Sequence, residues 1–223
     1  MEKTFQREDN KPVVKSYAKP SKVYLVIKRI FDIVGSFLGL VILAPLLFLI
    51  SAAIKIEDGG NVYYKQVRIG KDGKEFLIYK FRSMKKNADD LESMLTDEQL
   101  EEYKKEFKIV NDPRITKVGN FLRKTSLDEL PQMVNIFLGE LSVIGPRPIV
   151  EEELAWYGDD KEKLLSVKPG LTGYWQAYAR NDANYATGKR QQMELYYIDN
   201  QSVWLDIKIL FKTIISVLKK TGQ

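Results

Sequence analysis

Between residues 33 and 54 the chain reads IVGSFLGLVILAPLLFLISAAI, 22 residues without a charge. An ideal helix of that length is about 33 Å long, the thickness of a bilayer's hydrocarbon core. Its apolar residues fall on every side rather than in one stripe, as expected of a helix surrounded by lipid. A core helix is seldom this long without a charge, and a cleaved leader has a shorter, earlier apolar run with small residues after it. The run is therefore expected to be a membrane segment. Pro45 lies near its middle, where it removes a backbone hydrogen bond and is expected to kink the helix. Lys28 and Arg29 precede the run and Lys55 follows it. The positive-inside rule accepts both ends on the cytoplasmic side. Two topologies fit: a Pro-broken helix that enters one leaflet and returns, and a straight span that tolerates its proline.

Charge and composition narrow the chemistry. Residues 1–29 hold eight basic and three acidic side chains, which is the whole of the net +5; the other residues sum to zero. A basic arm attracts nucleic acid or anionic lipid. Its position against a lipid-soluble segment selects lipid, and nucleic-acid binding is not expected. The chain has neither Cys nor His. Disulfides, thiolate or imidazole metal sites, Ser-His-Asp hydrolysis and a Cys nucleophile are thereby excluded. Chemistry at neutral pH is left to carboxylates, hydroxyls, Lys, Arg and a hard metal ion.

Beyond the apolar run, residues 62–69 and 75–81 are aromatic and β-branched, and Gly70-Lys71-Asp72-Gly73 between them is a hairpin signal. Residues 86–108 read as one or two solvated helices, and Thr96-Asp97-Glu98-Gln99 has capping-box form. Residues 111–148 mix Gly, Pro, Arg and acids with short apolar runs, as ligand-binding loops do. A helix is expected from about 128 to 137, ending near Gly139. Another begins at 151–157. Lys168-Pro169-Gly170 reads as a turn, and LTGYWQAYAR as strand or loop. Residues 203–220 form an amphipathic helix with Val203, Ile207, Leu210, Phe211, Ile214, Val217 and Leu218 on its apolar face. It packs on a core or lies in the membrane interface.

Two groups of residues are suited to chemistry. Asp128 and Glu129 are adjacent acids at a helix start, where capping alone would explain them: Asp128 is a good N-cap, and Ser126 to Glu129 has capping-box spacing. Arg114, Arg123 and Arg147 bracket them in the sequence, and Lys80 and Arg82 come from the hairpin. Planar guanidinium groups suit phosphate oxygens. Gly145-Pro146-Arg147-Pro148 is a stiff backbone that aims one side chain. Together these parts suggest phosphate handling at a membrane face, with an acid holding a divalent cation. Lacking thiolate and imidazole, the natural cation is Mg²⁺. An Asp can also serve as nucleophile, dividing one phosphoryl transfer into two steps.

The chain carries KRIFD (28–32) before the Pro-containing helix, YYKQVRIGKDGKEFLIYKFRSM (63–84), DPRITKVGNFLRKTSLDELPQMVN (112–135), LSVIGPRP (141–148) and KPGLTGYWQ (168–176). On these motifs it resembles the bacterial monotopic phosphoglycosyl transferases, or bacterial sugar transferases. The resemblance implies transfer of a sugar 1-phosphate from a UDP-sugar donor to a polyprenyl (undecaprenyl) phosphate acceptor, with release of UMP, at the cytoplasmic face of the inner membrane. Such transfer initiates capsule, exopolysaccharide or other glycan synthesis. It implies Asp128 as the nucleophile, carrying an aspartyl-phosphosugar intermediate, and Glu129 beside it as an Mg²⁺ ligand, with Asp128 sharing the metal. Arg147, shaped by Pro146 and Pro148, is implied to contact the nucleotide-sugar. Lys80 and Arg123 match phosphate-binding positions, and Arg82 and Arg114 match motif positions. The family's re-entrant helix breaks at a Ser-Pro pair; here the pair is Ala44-Pro45, so the proline acts without the hydroxyl. The implied fold class is α+β: a basic arm (1–27), a re-entrant membrane anchor (28–55), and a mostly helical catalytic domain at the cytoplasmic face (56–223) with a short β-hairpin and a C-terminal amphipathic helix. With only a polar arm before Lys28, the chain resembles the family's small form. Its later segment is similar to members that use glucose or galactose. Membrane lipids are expected partners, and a homo-oligomer is compatible with these motifs.

Overall fold

The computed structural model describes residues 20–106, 109, 111–179 and 187–218. Residues 1–19 of the basic arm and 180–186 of the later segment lie outside them.

The first helix, α1 (Lys22–Asp58), starts at Ser21, whose hydroxyl accepts the Tyr24 N–H, and ends at the left-handed Gly59. Its 37 residues are assigned as one helix that contains Pro45, about 55 Å of axis. By length and composition it can cross a membrane. One stripe of it rests on the rest of the protein: Tyr24, Asp32, Ser36, Ile50 and Ile54 are buried, and Leu46 and Leu47 are half-buried. That spacing follows the helical repeat. The other sides expose Val26, Ile30, Phe37, Ile42, Phe48 and Leu49.

The charges of α1 hold this stripe in place. Lys28 Nζ, Tyr24 OH and Tyr197 OH donate to Asp206 at 2.7, 2.9 and 2.8 Å. Arg29 donates to the carbonyls of Ile136 and Phe137. Asp32 accepts from the Ser142 hydroxyl (3.0 Å) and the Val143 N–H (2.8 Å). The KRIFD segment is therefore a docking motif. At the other end Glu57 accepts from the Lys117 and Val118 N–H groups.

The expected hairpin forms from β1 (Tyr63–Ile69) and β2 (Glu75–Phe81), paired antiparallel with Lys80 opposite Tyr64. Its turn places Asp72 and Gly73 at positive φ. Side chains alternate along β2. Phe76 and Ile78 enter one core with Ile136 and Leu141; Phe81 enters another with Ile50, Ile54 and Leu122. The expected solvated helices are α2 (Leu91–Met94) and α3 (Asp97–Glu106). Thr96 and Gln99 exchange both capping-box bonds.

Helix α4 (Lys117–Thr125) is capped by Thr116. Its Gly119 lies directly against the Ser83 backbone, leaving no room for a Cβ. Ser126 then turns left-handed, a single 3₁₀ turn covers Leu127–Glu129, and α5 (Gln132–Leu138) ends at the left-handed Gly139. Strand β3 (Ser142–Ile144) follows, then a 3₁₀ stretch over Glu151–Asp160 and α6 (Lys161–Leu165). Strand β4 (Gly170–Thr172) pairs with β3 in parallel, and α7 (Tyr174–Tyr178) follows at once. Leu171 and Thr172 are strand, as expected, while two expectations are corrected: Gly170 is already strand rather than turn, and Tyr174–Tyr178 is helical rather than strand or loop.

Helices α8 (Lys189–Asp199) and α9 (Val203–Leu218) complete the described chain. Of the apolar face of α9, Leu210 meets the core beside Leu205 and Ile209, while Val203, Ile207, Phe211 (65 %) and Ile214 are exposed, as is Trp204 (64 %). Asp206 fixes this rotation, because three donors hold it inward.

Asn135 joins α5 to the hairpin. It accepts the Tyr79 N–H (3.0 Å) and donates to the Leu77 carbonyl and Glu140 (both 2.7 Å). Asn135→Ala leaves two part-buried backbone groups of β2 without this partner and is expected to cost about 1–3 kcal/mol, read as a lowered midpoint of thermal or denaturant unfolding.

Candidate active site

Leu127 and Leu130 are three residues apart, so on a 3₁₀ turn they face the same way. Both pack on the core made by Ile50, Ile54, Phe81 and Leu122. Asp128 and Glu129 are left to project on the other sides of that turn. Neither capping expectation is met. Ser126 makes no side-chain cap to the turn, and the residue before α5 is Pro131, not Asp128. The left-handed Ser126 removes the backbone geometry that a capping box needs.

Lys80 reaches this turn from β2, on the same side of the strand as Phe76 and Ile78, and its ammonium lies 3.0 Å from Glu129 Oε1. Arg123 arrives from α4, beside the buried Leu122. Burial, and next the charge of Glu129, push the Asp128 carboxyl up to about 6, against the pull of Lys80 and Arg123. No side-chain hydrogen bond to Asp128 is formed among the described residues. The result is a half-buried carboxylate that is costly to ionise, with two cations near it.

Arg147 sits in a separate, tightly held loop. The Gly145 N–H donates to the Thr172 carbonyl, and the Pro146 carbonyl accepts from Gly170 N–H, both at 2.8 Å. The Pro148 carbonyl accepts from Arg68. The Arg147 N–H donates to Glu194 Oε1 at 3.4 Å. Glu194 is 1 % exposed; it also accepts from the Tyr157 hydroxyl and lies 3.6 Å from Arg190 Nε. Burial raises the Glu194 carboxyl, and the Arg190 charge opposes it. Arg190 in turn lies over the Trp175 ring, 4.2 Å from its centroid.

The structure thus brings Asp128, Glu129, Lys80 and Arg123 together and places Arg147, between Pro146 and Pro148, in a second cluster. Arg82 is paired with Asp58 at the end of α1. Arg114 is buried, bound to Asp112 at 2.7 Å, and packed on Tyr103. Its hydrogen bonds hold the Asp112 carboxyl below the usual range against the upward push of burial. Glu194, Arg190 and Tyr157 carried no sequence signal: an Arg and Glu four apart on a polar helix read as a surface pair.

Among the described residues no group of three or more acids could hold a metal. Asp128 and Glu129 are two adjacent carboxylates whose charges oppose each other. Two carboxylates fit a cation that takes its other ligands from water and phosphate, as Mg²⁺ does.

The raised Asp128 carboxyl has a cost in stability. With a folded value of about 6 against the ordinary 3.8, the folded state binds the proton more tightly than the unfolded state does. Stability therefore falls as pH rises through that window and is restored below it. In metal-free buffer Asp128→Asn is expected to be about 1–3 kcal/mol more stable than the parent at pH 8. Thermal unfolding below about pH 4, where both states of the parent are protonated, should show no such gain.

A family profile described as bacterial sugar transferase matches residues 23–220, a span that holds both clusters. The chain is 47 % identical over 208 residues to the undecaprenyl-phosphate galactose phosphotransferase of Salmonella typhimurium, covering 92 % of this chain and 43 % of that protein. It is 45 % identical to the exopolysaccharide production protein ExoY of Rhizobium meliloti, covering 88 % and 87 %. Against the UDP-glucose:undecaprenyl-phosphate glucose-1-phosphate transferase of Escherichia coli it is 41 % identical, covering 91 % and 43 %. The chain spans less than half the length of the Salmonella and Escherichia relatives. On the match over 23–220, the chain belongs to the bacterial sugar transferase family.

Proposed function

We propose that this protein is a phosphoglycosyl transferase that moves a hexose 1-phosphate, of glucose or galactose type, from a UDP-sugar to polyprenyl phosphate. The observation that carries this reading is Asp128: a half-buried carboxylate with no side-chain hydrogen bond among the described residues, flanked by Lys80 and Arg123. An Asp Oδ attacks the β-phosphorus of the donor; the bond from that phosphorus to the bridging oxygen breaks, and UMP leaves. An oxygen of polyprenyl phosphate then attacks the same phosphorus. The aspartyl–phosphorus bond breaks, Asp128 is restored, and the product is a polyprenyl diphosphate sugar. Partial burial makes the carboxylate a stronger nucleophile. Lys80 and Arg123 offset the repulsion between this anion and the diphosphate. Asp128 and Glu129 would hold Mg²⁺, which supplies charge neutralisation of phosphoryl oxygens when bound. Arg147, whose guanidinium makes no hydrogen bond among the described residues, would bind the nucleotide part of the donor.

The relatives' names support the donor and acceptor classes. Association with one membrane face is supported by α1, and its cytoplasmic side by the flanking Lys28, Arg29 and Lys55. Residues at both of its ends are bonded to the same folded unit, Lys28 to Asp206 and Glu57 to Lys117. A segment tied this way is read as entering and leaving one face, and the exposed apolar residues of α9 would lie in the same interface.

Covalent labelling tests the chemistry. The protein is expected to acquire label from a UDP-sugar labelled in its β-phosphate, to require Mg²⁺, and to lose UMP release by at least about 10³-fold in Asp128→Asn. An Asn variant with full turnover would reject Asp128 as nucleophile. Topology is tested by single cysteines at 22 and 65 on this Cys-free background. Both are expected to react from the cytoplasmic side only, and labelling from opposite sides defeats the re-entrant reading.

A further inference from the structure

Pro146 and Pro148 have no N–H, so the Arg147 N–H is the one backbone donor of the Pro-Arg-Pro segment. It points at a carboxylate that is almost completely buried, Glu194 on α8. This is an expensive arrangement. A buried carboxylate persists only with partners that compensate the loss of water. Here the partners are the Tyr157 hydroxyl, the Arg190 guanidinium and the Arg147 N–H. Arg190 is itself buried and faces Trp175. Three separate elements, the 3₁₀ stretch over Glu151–Asp160, α7 and α8, are thus gathered on the peptide that carries Arg147. On either side of Arg147, the Pro146 carbonyl is held by the Gly170 N–H and the Pro148 carbonyl by Arg68. The peptide is thus restrained on both sides of Arg147, and the guanidinium, which makes no hydrogen bond among the described residues, also feels the charge of Glu194.

We infer that Glu194, held by Arg190 and Tyr157, is a positioning residue for donor binding: it fixes the peptide of Arg147 so that the guanidinium is pre-aimed at the nucleotide-sugar. The assignment rests on the proposed role of Arg147. It places a determinant of donor affinity in the C-terminal helices, outside both clusters of residues suited to chemistry in the sequence. Preorganisation of this kind acts on binding more than on the chemical step, because the entropy of ordering the loop is removed before the donor arrives.

The test is steady-state UMP release by the full chain in lipid nanodiscs, with UDP-glucose and UDP-galactose as donors and Mg²⁺ present. Glu194→Gln keeps the shape and an acceptor oxygen but removes the charge that holds Arg190. It is expected to raise the donor KM about tenfold while kcat falls less than about threefold and the acceptor KM stays unchanged. In an Arg147→Ala background the same substitution is expected to add less than about twofold, since its effect runs through Arg147. Tyr157→Phe removes one hydroxyl and leaves the core filled. It should shift the donor KM in the same direction by about threefold, which keeps the test alive if Glu194→Gln unfolds. A donor KM unmoved in both single variants overturns the inference, as does an equal Glu194→Gln effect with and without Arg147. An Arg147→Ala variant with an unchanged donor KM is a separate result: it removes the assigned role of Arg147 and the inference with it, while labelling at Asp128 still stands or falls alone.

Discussion

Four charged side chains of α1 each supply a hydrogen bond that another element uses. Lys28 meets Asp206 of α9, Arg29 meets the last carbonyls of α5, Asp32 meets the start of β3, and Glu57 meets the first N–H groups of α4. Helix ends leave such groups without intrahelical partners. Acceptors belong at a helix start and cations at its finish, and Glu57 and Arg29 obey both rules. The apolar helix is therefore joined to the domain by polar contacts along its length, with Ile50 and Ile54 adding an apolar floor. The remaining elements are arranged around this long support.

The hairpin and the solvated helices were legible because their signals are local: Gly-rich turn residues between β-branched runs, and Thr96 with Gln99. The docking of α1 was not. Its contact stripe repeats about every fourth residue, but the segment is so apolar that the stripe is lost in the composition. Its partners lie more than 100 residues away, at Ser142, Tyr197 and Asp206. The parallel pair of β3 and β4 has three residues per strand, too few for any periodicity. The rotation of α9 is not legible in its hydrophobicity because it is set by Asp206, which Lys28, Tyr24 and Tyr197 hold inward.

The acid pair illustrates the same division. Asp128 and Glu129 stood out by type and spacing, and capping was a reasonable bland account of them. What displaced it was one backbone angle, the positive φ of Ser126. The basic residues sorted by environment rather than by motif. Lys80 and Arg123 were drawn to the acids, whereas Arg82 and Arg114 each found a carboxylate elsewhere. Glu194 has no sequence signal because burial, the property that makes it unusual, is not written in any short stretch of sequence.

The turn that bears Asp128 is seated through Leu127 and Leu130 on a core to which α1 contributes Ile50 and Ile54. The foundation of the acid pair is thus partly built from α1. Detergent that peels this helix from the domain takes away a wall beneath the Asp128 carboxylate. Damage to the turn during extraction then reports a collapsed scaffold, which replacing lipid alone does not rebuild.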